Sequence, residues 1–264
     1  MKKYLKVIER IAFFTLIAVF SIGCSTDNEN DNPGGEQALT KADLKTILEA
    51  DKIAGVADDV LAEIYAGDPS SAKEVPCYET AYTETGYTAT FNNCVLNGTE
   101  NVNGILTVEY ASGTQAAAFT ATFTDFYVGE NKVNGTRAYS ISSNSTENAI
   151  EFTVVSDLEV TLADESVLSE NGTKTVVFTF GDTLETSTFA IGGNWTVEVD
   201  GNTYAVEVTD TLVGNLGCAN LVSGNMIVSK NGLAVTVDFG EGSCDAMATI
   251  IYPNEATEEV NLNN

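Results

Sequence analysis

From residue 76 to the end, apolar and polar side chains alternate in short runs: 105–110 (ILTVEY), 119–123 (FTATF), 150–154 (IEFTV), 175–180 (TVVFTF), 195–199 (WTVEV) and 233–239 (LAVTVDF). A period of two residues is the signature of strands with one buried and one wetted face. Val, Thr, Ile and Phe dominate these runs, as pleated half-buried surfaces prefer. Asp200-Gly201 joins WTVEV to TYAVEV and Asn231-Gly232 joins MIVSK to LAVTV, which is the turn chemistry of tight hairpins. Asn134-Gly135 and Asn171-Gly172 read as further breaks between strands. No helix-length amphipathic stretch separates the runs, so parallel βαβ units are not expected. The expected fold class is mainly β: an antiparallel, hairpin-rich sandwich or curved open sheet over residues 76–264, large enough for one core. Tyr87–Cys94 and Val235–Cys244 are both strand-like runs leading to a cysteine. They suggest two related halves, about 76–142 and 143–264.

The pattern before residue 76 is different. Residues 38–68 carry two short helical faces, Leu44/Ile47/Leu48 and Val60/Leu61/Ile64/Tyr65, with Gly67 and Pro69 as C-terminal punctuation. Thr40 followed by Asp43 resembles a capping box, with Asp in the place of the usual Glu or Gln. Helices this short are marginal alone, so they are expected to pack on the β body. Residues 24–37 have no apolar periodicity and are rich in Asn, Asp, Glu and Gly, the composition of a flexible acidic linker. Asp27, Glu29 and Asp31 alternate like the start of a calcium loop. Asn32 nevertheless stands where that loop needs Gly, and its twelfth position lacks Glu.

Composition changes the functional picture. The 264 residues include 12 Lys+Arg, 38 Asp+Glu and no His, a net charge of −26. A chain this acidic repels phosphate backbones, so no nucleic-acid partner is expected. The missing histidine removes Ser-His and Cys-His nucleophiles and His-ligated zinc.

Residues 1–23 combine a basic start (Lys2, Lys3, Lys6, Arg10) with an apolar stretch of about 12 residues, which is short of the roughly 20 needed to span a bilayer. That is the pattern of a cleaved export signal. Ser21-Ile22-Gly23 before Cys24 resembles the lipobox of bacterial lipoproteins, although Ser21 stands where Leu is commoner. The resemblance implies cleavage before Cys24 and acylation of that residue, giving a membrane anchor through acyl chains. Cleavage removes four basic residues and one acidic residue, leaving −29. The acidic stretch after Cys24 is similar to the surface-export signals of Bacteroidota lipoproteins. Residues 133–139 (VNGTRAY) and 232–250 (GLAVTVDFGEGSCDAMATI) resemble segments of uncharacterised β-rich lipoproteins of that group. The resemblance implies an outer-membrane lipoprotein displayed at the cell surface, with the periplasmic face as the alternative. It brings no activity and no catalytic residues.

The other four cysteines, Cys77, Cys94, Cys218 and Cys244, are an even set in an exported chain. Of the three pairings open to them, Cys77–Cys94 and Cys218–Cys244 are favoured because each pair flanks hairpin-like sequence. No metal is expected: the cysteines are far apart and have no CxxC spacing. Asp238, Glu241 and Asp245 read as turn residues around Gly240 and Gly242. Arg137 is the one Arg beyond the signal, either an anion clamp or half of a cross-strand ion pair. Trp195, in phase with Val197 and Val199, is expected in the core. Asp182-Thr183-Leu184 and Asp210-Thr211-Leu212 resemble the O-glycosylation site of Bacteroidota exported proteins.

The sequence thus leads to a non-enzymatic interaction or structural module, with no cofactor and no catalytic residue. The alternative is a glycan- or ligand-binding lipoprotein of a nutrient-uptake system, which needs a surface row of Tyr and Trp. A third reading, a carboxylate-dependent hydrolase, needs two facing carboxylates, one with a raised pKa.

Overall fold

The structure is a computed structural model that describes residues 39–48, 50, 77–95, 101–111, 117–144, 148–183 and 185–262. Residues 41–48 and 50 are helical and form α1. Thirteen strands follow: β1 (Tyr78–Tyr82), β2 (Gly86–Val95), β3 (Asn101–Tyr110), β4 (Ala117–Val128), β5 (Asn131–Asn144), β6 (Ala149–Thr161), β7 (Val167–Thr179), β8 (Thr188–Val199), β9 (Asn202–Asn215), β10 (Leu221–Lys230), β11 (Leu233–Glu241), β12 (Met247–Ile251) and β13 (Thr257–Asn261). They form one sheet in chain order, every neighbouring pair antiparallel. The architecture is therefore the open sheet and not the sandwich. The boundary proposed near 142–143 falls at the end of β5, where the ladder runs unbroken from Lys132–Thr161 to Asn144–Ala149. Both halves share one sheet. Cys94 lies inside β2, whereas Cys244 follows β11 in a loop, so the two cysteine-bearing runs occupy different structural places.

The Asp-Gly and Asn-Gly turns behave as their chemistry dictates. Asp200 and Gly201 have φ of 51° and 74°, and Asn231 and Gly232 have 49° and 90°, the left-handed pair that matches strand twist in a two-residue hairpin. Asn134-Gly135 and Asn171-Gly172 are not turns. They lie inside β5 and β7, with a neighbouring strand on each side, Asn134 falling opposite the Phe123/Phe126 irregularity of β4 and the other three residues paired on both sides. At Gly172, φ is +147° and a Cβ would collide with the Cα and Cβ of Trp195 on β8. The glycine is required there by a close approach between strands and by local bending of the sheet.

Thirteen strands about 4.8 Å apart make a flat sheet roughly 55–60 Å wide, whereas a helix reaching from residue 41 to residue 50 spans only about 14 Å. Core-face residues from Tyr87 on β2 to Val260 on β13 nevertheless form one buried cluster with Leu39, Leu44, Ile47 and Ala50. The sheet achieves this by curling, with the core face concave. Register shifts at Phe91/Cys94, Asn103/Ile105, Phe123/Phe126 and Ile191/Asn194 supply the bends.

The first predicted helix packs in this concavity through the expected residues Leu44 and Ile47. Its capping box is reciprocal: the Thr40 N–H donates to Asp43 Oδ2 at 2.8 Å, and the Asp43 N–H donates to Thr40 Oγ1 at 3.2 Å. The second predicted helical face lies outside the described residues. The two sheet edges, β1 and β13, are five residues each, short enough to limit edge-to-edge pairing.

Candidate functional site

Strand register places three cross-strand rows side by side on the concave face. One runs Tyr82–Tyr87–Val108–Ala121–Arg137–Ser156–Gly172–Trp195 from β1 to β8. A neighbouring row runs Tyr110–Phe119–Tyr139–Val154–Lys174–Gly193. The third, on the other side of the first, includes Leu158, Glu170, Val197, Tyr204 and Lys230. From Cys77 onward the sequence has four cations. Lys132 pairs with Asp125 on the outside of β5, while Arg137, Lys174 and Lys230 occupy concave-face positions in these rows. The acidity of the chain is thus an outer-surface property. Three of these four cations are turned inward, while Lys132 and, on α1, Lys41 and Lys45 lie outside.

Arg137, Glu170 and Lys174 form the centre of this arrangement. Arg137 Nη2 lies 3.7 Å from Glu170 Oε1, and the Arg137 Nε–H donates to Ser156 Oγ at 3.1 Å. The Lys174 ammonium donates to Glu170 Oε2 at 2.9 Å and sits 4.6 Å from the centre of the Trp195 ring, within cation–π range. Glu170 is 1% exposed and Arg137 4%. Burial pushes the Glu170 carboxyl up, but Lys174 and Arg137 outweigh it and hold the group below its ordinary value. Among the described residues the indole Nε1 of Trp195 has no hydrogen-bond partner, and Glu170 Oε1 is held by the Arg137 ion pair.

Rings line the way to this cluster from the β1 edge. Tyr82, 69% exposed, lies 6.0 Å from Tyr87, which lies 6.4 Å from Tyr110, also exposed. Phe119, opposite Tyr110, stacks on Tyr139 at 4.7 Å, and the Arg137 guanidinium is 6.0 Å from the Tyr139 ring.

A second charged group fixes α1. Asp43 accepts the Tyr204 hydroxyl proton at 2.6 Å and pairs with Lys230 at 3.1 Å. Burial raises the Asp43 pKa, while the bonds from Tyr204, Thr40 and Lys230 lower it, and the lowering prevails. Burial and the Asp43 bond push Tyr204 above its ordinary value. Among the described residues the two buried carboxylates, Asp43 and Glu170, are thus both shifted down.

Trp195 is buried, as its phase predicts. Arg137 makes the cross-strand contacts that its isolation suggested. Cys77 and Cys94 form a disulfide with Cα atoms 5.2 Å apart, and Cys218 and Cys244 another at 5.4 Å. Asp238 accepts the Gly240 N–H and Asp245 the Met247 N–H, so both carboxylates close turns. Among the described residues no group of three His, Cys, Asp or Glu is placed to hold a metal ion. Thr183 is exposed with its hydroxyl against Thr186, and Thr211 is exposed on β9. Cys24 and the acidic trio Asp27, Glu29 and Asp31 lie outside the described residues. On the convex side, Asn134, Thr136, Asp157, Glu159, Ser169 and Asn171 surround an open polar depression of about 310 Å³.

Glu170 and Lys174 escape a reading of the sequence because Glu170-Asn-Gly-Thr-Lys174 looks like a polar turn. The signal that reveals them is phase: Leu168, Glu170, Gly172, Lys174, Val176 and Phe178 share one face of a single strand. No protein family, no curated protein and no solved structure matches the chain in comparisons with known proteins.

Proposed function

We propose that the chain is a lipid-anchored cell-envelope module, carried on Cys24 at the outer membrane, that acts by binding and not by catalysis. The observation that carries this reading is the pairing of all four cysteines beyond Cys24 into two disulfides, the usage of a chain matured in an oxidising compartment. The inward placement of Arg137, Lys174 and Lys230 supports it as well, since it leaves the outer surface strongly acidic and unsuited to direct adhesion to an anionic bilayer. Anchoring then falls to the acyl chains. Among the described residues no helix is long and apolar enough to cross a membrane. The test is labelled-palmitate incorporation in cells expressing the full chain. The wild type takes up label and Cys24→Ala does not. Equal labelling of the two would refute the anchor.

A second reading, a glycan- or ligand-binding lipoprotein of a nutrient-uptake system, is favoured by the strip of rings from Tyr82 to Tyr139. Tyr82 and Tyr110 are exposed, Phe119 and Tyr139 half-buried and Tyr87 buried, so the open end of the strip offers ring surface with polar edges.

A further inference from the structure

We infer that the Cys218–Cys244 disulfide is a redox-operated clasp: a dithiol reductant opens it while Cys77–Cys94 stays closed, and opening it loosens the terminal hairpin β12–β13 from the sheet. The two bridges differ in where their sulfurs sit. Cys94 is fully buried in the core cluster, although its partner Cys77 is exposed. Cys244 is exposed and Cys218 half-buried, each in a loop, at 242–246 and 216–220. Thiol–disulfide exchange proceeds by attack of a thiolate on one sulfur and departure of the other as a thiolate. At Cys77–Cys94 both routes are obstructed. Cys94 cannot be reached, and attack on Cys77 expels a thiolate into apolar surroundings that disfavour its charge. At Cys218–Cys244 the attack falls on the exposed Cys244 and the departing thiolate, Cys218, stays in a surface loop. The first thiol of the reductant forms a mixed disulfide with Cys244 and frees Cys218, and its second thiol then displaces Cys244. Two electrons and two protons pass to the protein, which ends with two thiols, and the dithiol ends as a disulfide.

The place of the clasp gives this step a consequence. β12 and β13 are five residues each, and β12 pairs with β11 at three positions, Thr236–Ile251, Val237–Ile250 and Asp238–Thr249. The covalent link of this hairpin to the rest of the sheet is the 242–246 loop, which the disulfide ties to the β9–β10 loop, with Cys244 Sγ 3.9 Å from the Gly217 carbonyl. Once the tie is cut, the hairpin keeps its buried residues Ala248, Ile250 and Val260 but has only the short ladder to hold it in register. Such a unit opens locally before the domain unfolds. The start of α1 rests on the same hairpin: the Tyr252 hydroxyl donates to the Leu39 carbonyl at 3.2 Å, and the Lys41 ammonium lies 3.7 Å from Glu258. Opening the clasp therefore loosens one wall of the concavity together with the end of the helix seated in it.

The oxidised full chain is exposed to graded dithiothreitol, free thiols are trapped with iodoacetamide, and the alkylated cysteines are located by peptide mass spectrometry. Cys218 and Cys244 are expected to be alkylated at least about tenfold faster than Cys77 and Cys94. Hydrogen exchange of the protein in which only Cys218–Cys244 is reduced is expected to show about tenfold faster exchange of the amides of 247–251 and 257–261, with those of β5–β8 unchanged. The double variant Cys218→Ser/Cys244→Ser is expected to show the same change without reductant. Equal alkylation rates at the two bridges, or unchanged exchange of β12 and β13 once Cys218–Cys244 is open, would overturn the clasp and leave both disulfides as static staples.

Discussion

Glu170→Ala is expected to lower the unfolding free energy by about 3–5 kcal/mol, the range for breaking a buried ion pair from one side. The carboxylate is shared by Lys174 at 2.9 Å and Arg137 at 3.7 Å and lies almost wholly out of water. Removing it withdraws the counter-charge from two cations that cannot recover bulk hydration where they sit. Glu170→Gln, which keeps shape and an acceptor, should lose less, roughly 1.5–3 kcal/mol, the worth of hydrogen bonds to charged groups. Replacing all three members by apolar residues of similar size (Arg137→Met, Glu170→Leu, Lys174→Met) should restore most of the stability, because desolvation of the ions is then no longer incurred. Urea unfolding followed by circular dichroism measures all three. The pH dependence has a fixed sign. The folded-state pKa of Glu170 is depressed, so its contribution is complete above the unfolded value of 4.5. It is lost as pH falls below that value and through the folded one. Glu170→Gln should therefore flatten the acid limb of the stability curve relative to wild type. A parallel acid limb in the two proteins would contradict the arrangement.

Asp43→Ala is the second large effect, at about 3 kcal/mol. One part is the lost helix cap, about 1 kcal/mol. The larger part comes from the Tyr204 hydroxyl and the Lys230 ammonium, which lose the acceptor they share inside the sheet. Asp43→Asn retains one oxygen, which serves either the Thr40 N–H at Oδ2 or the Tyr204 hydroxyl at Oδ1 but not both, and loses the charge facing Lys230; because it keeps one of the bonds, it should cost about half to two-thirds as much. Native-state hydrogen exchange adds a positional readout, because the amides of residues 44–48 should lose protection before those of the central strands. Loss of global stability with unchanged protection of α1 would show that Asp43 is not what ties the helix to β9 and β10.

These two residues mark where the sequence was legible and where it was not. Alternation is a local property set by the pleat, so the strands and the Asp-Gly and Asn-Gly hairpins at 200–201 and 231–232 could be read directly. The Thr40–Asp43 cap is equally local and was legible. What Asp43 does with its other oxygen depends on a tyrosine 161 residues away, and no local pattern carries that. Asn171-Gly172 misled in the opposite direction. The dipeptide has turn chemistry, but the ladders of β6 and β8 close on both sides of it. The glycine serves the close approach of Trp195 instead. Arg137 attracted notice by being alone, and its partner Glu170 was one carboxylate among 38 acidic residues. Only the curl of the sheet distinguishes that carboxylate from the solvated ones.

The same curl joins the fold to the proposed role. It places the rings of β1–β5 and the charged centre of β5–β8 on one inner surface, while the carboxylates of the convex face remain in water. A chain built this way presents an acidic exterior and turns Arg137, Lys174, Lys230 and most of its rings toward the concavity, the arrangement on which the proposed role rests.

The most direct test of the account is non-reducing mass spectrometry of the mature protein extracted from the membrane fraction of expressing bacteria. The account predicts a chain that begins at an acylated Cys24, with Cys77 joined to Cys94 and Cys218 joined to Cys244. A chain that retains residues 1–23, an unacylated Cys24, or a peptide joining Cys77 to Cys218 would contradict it.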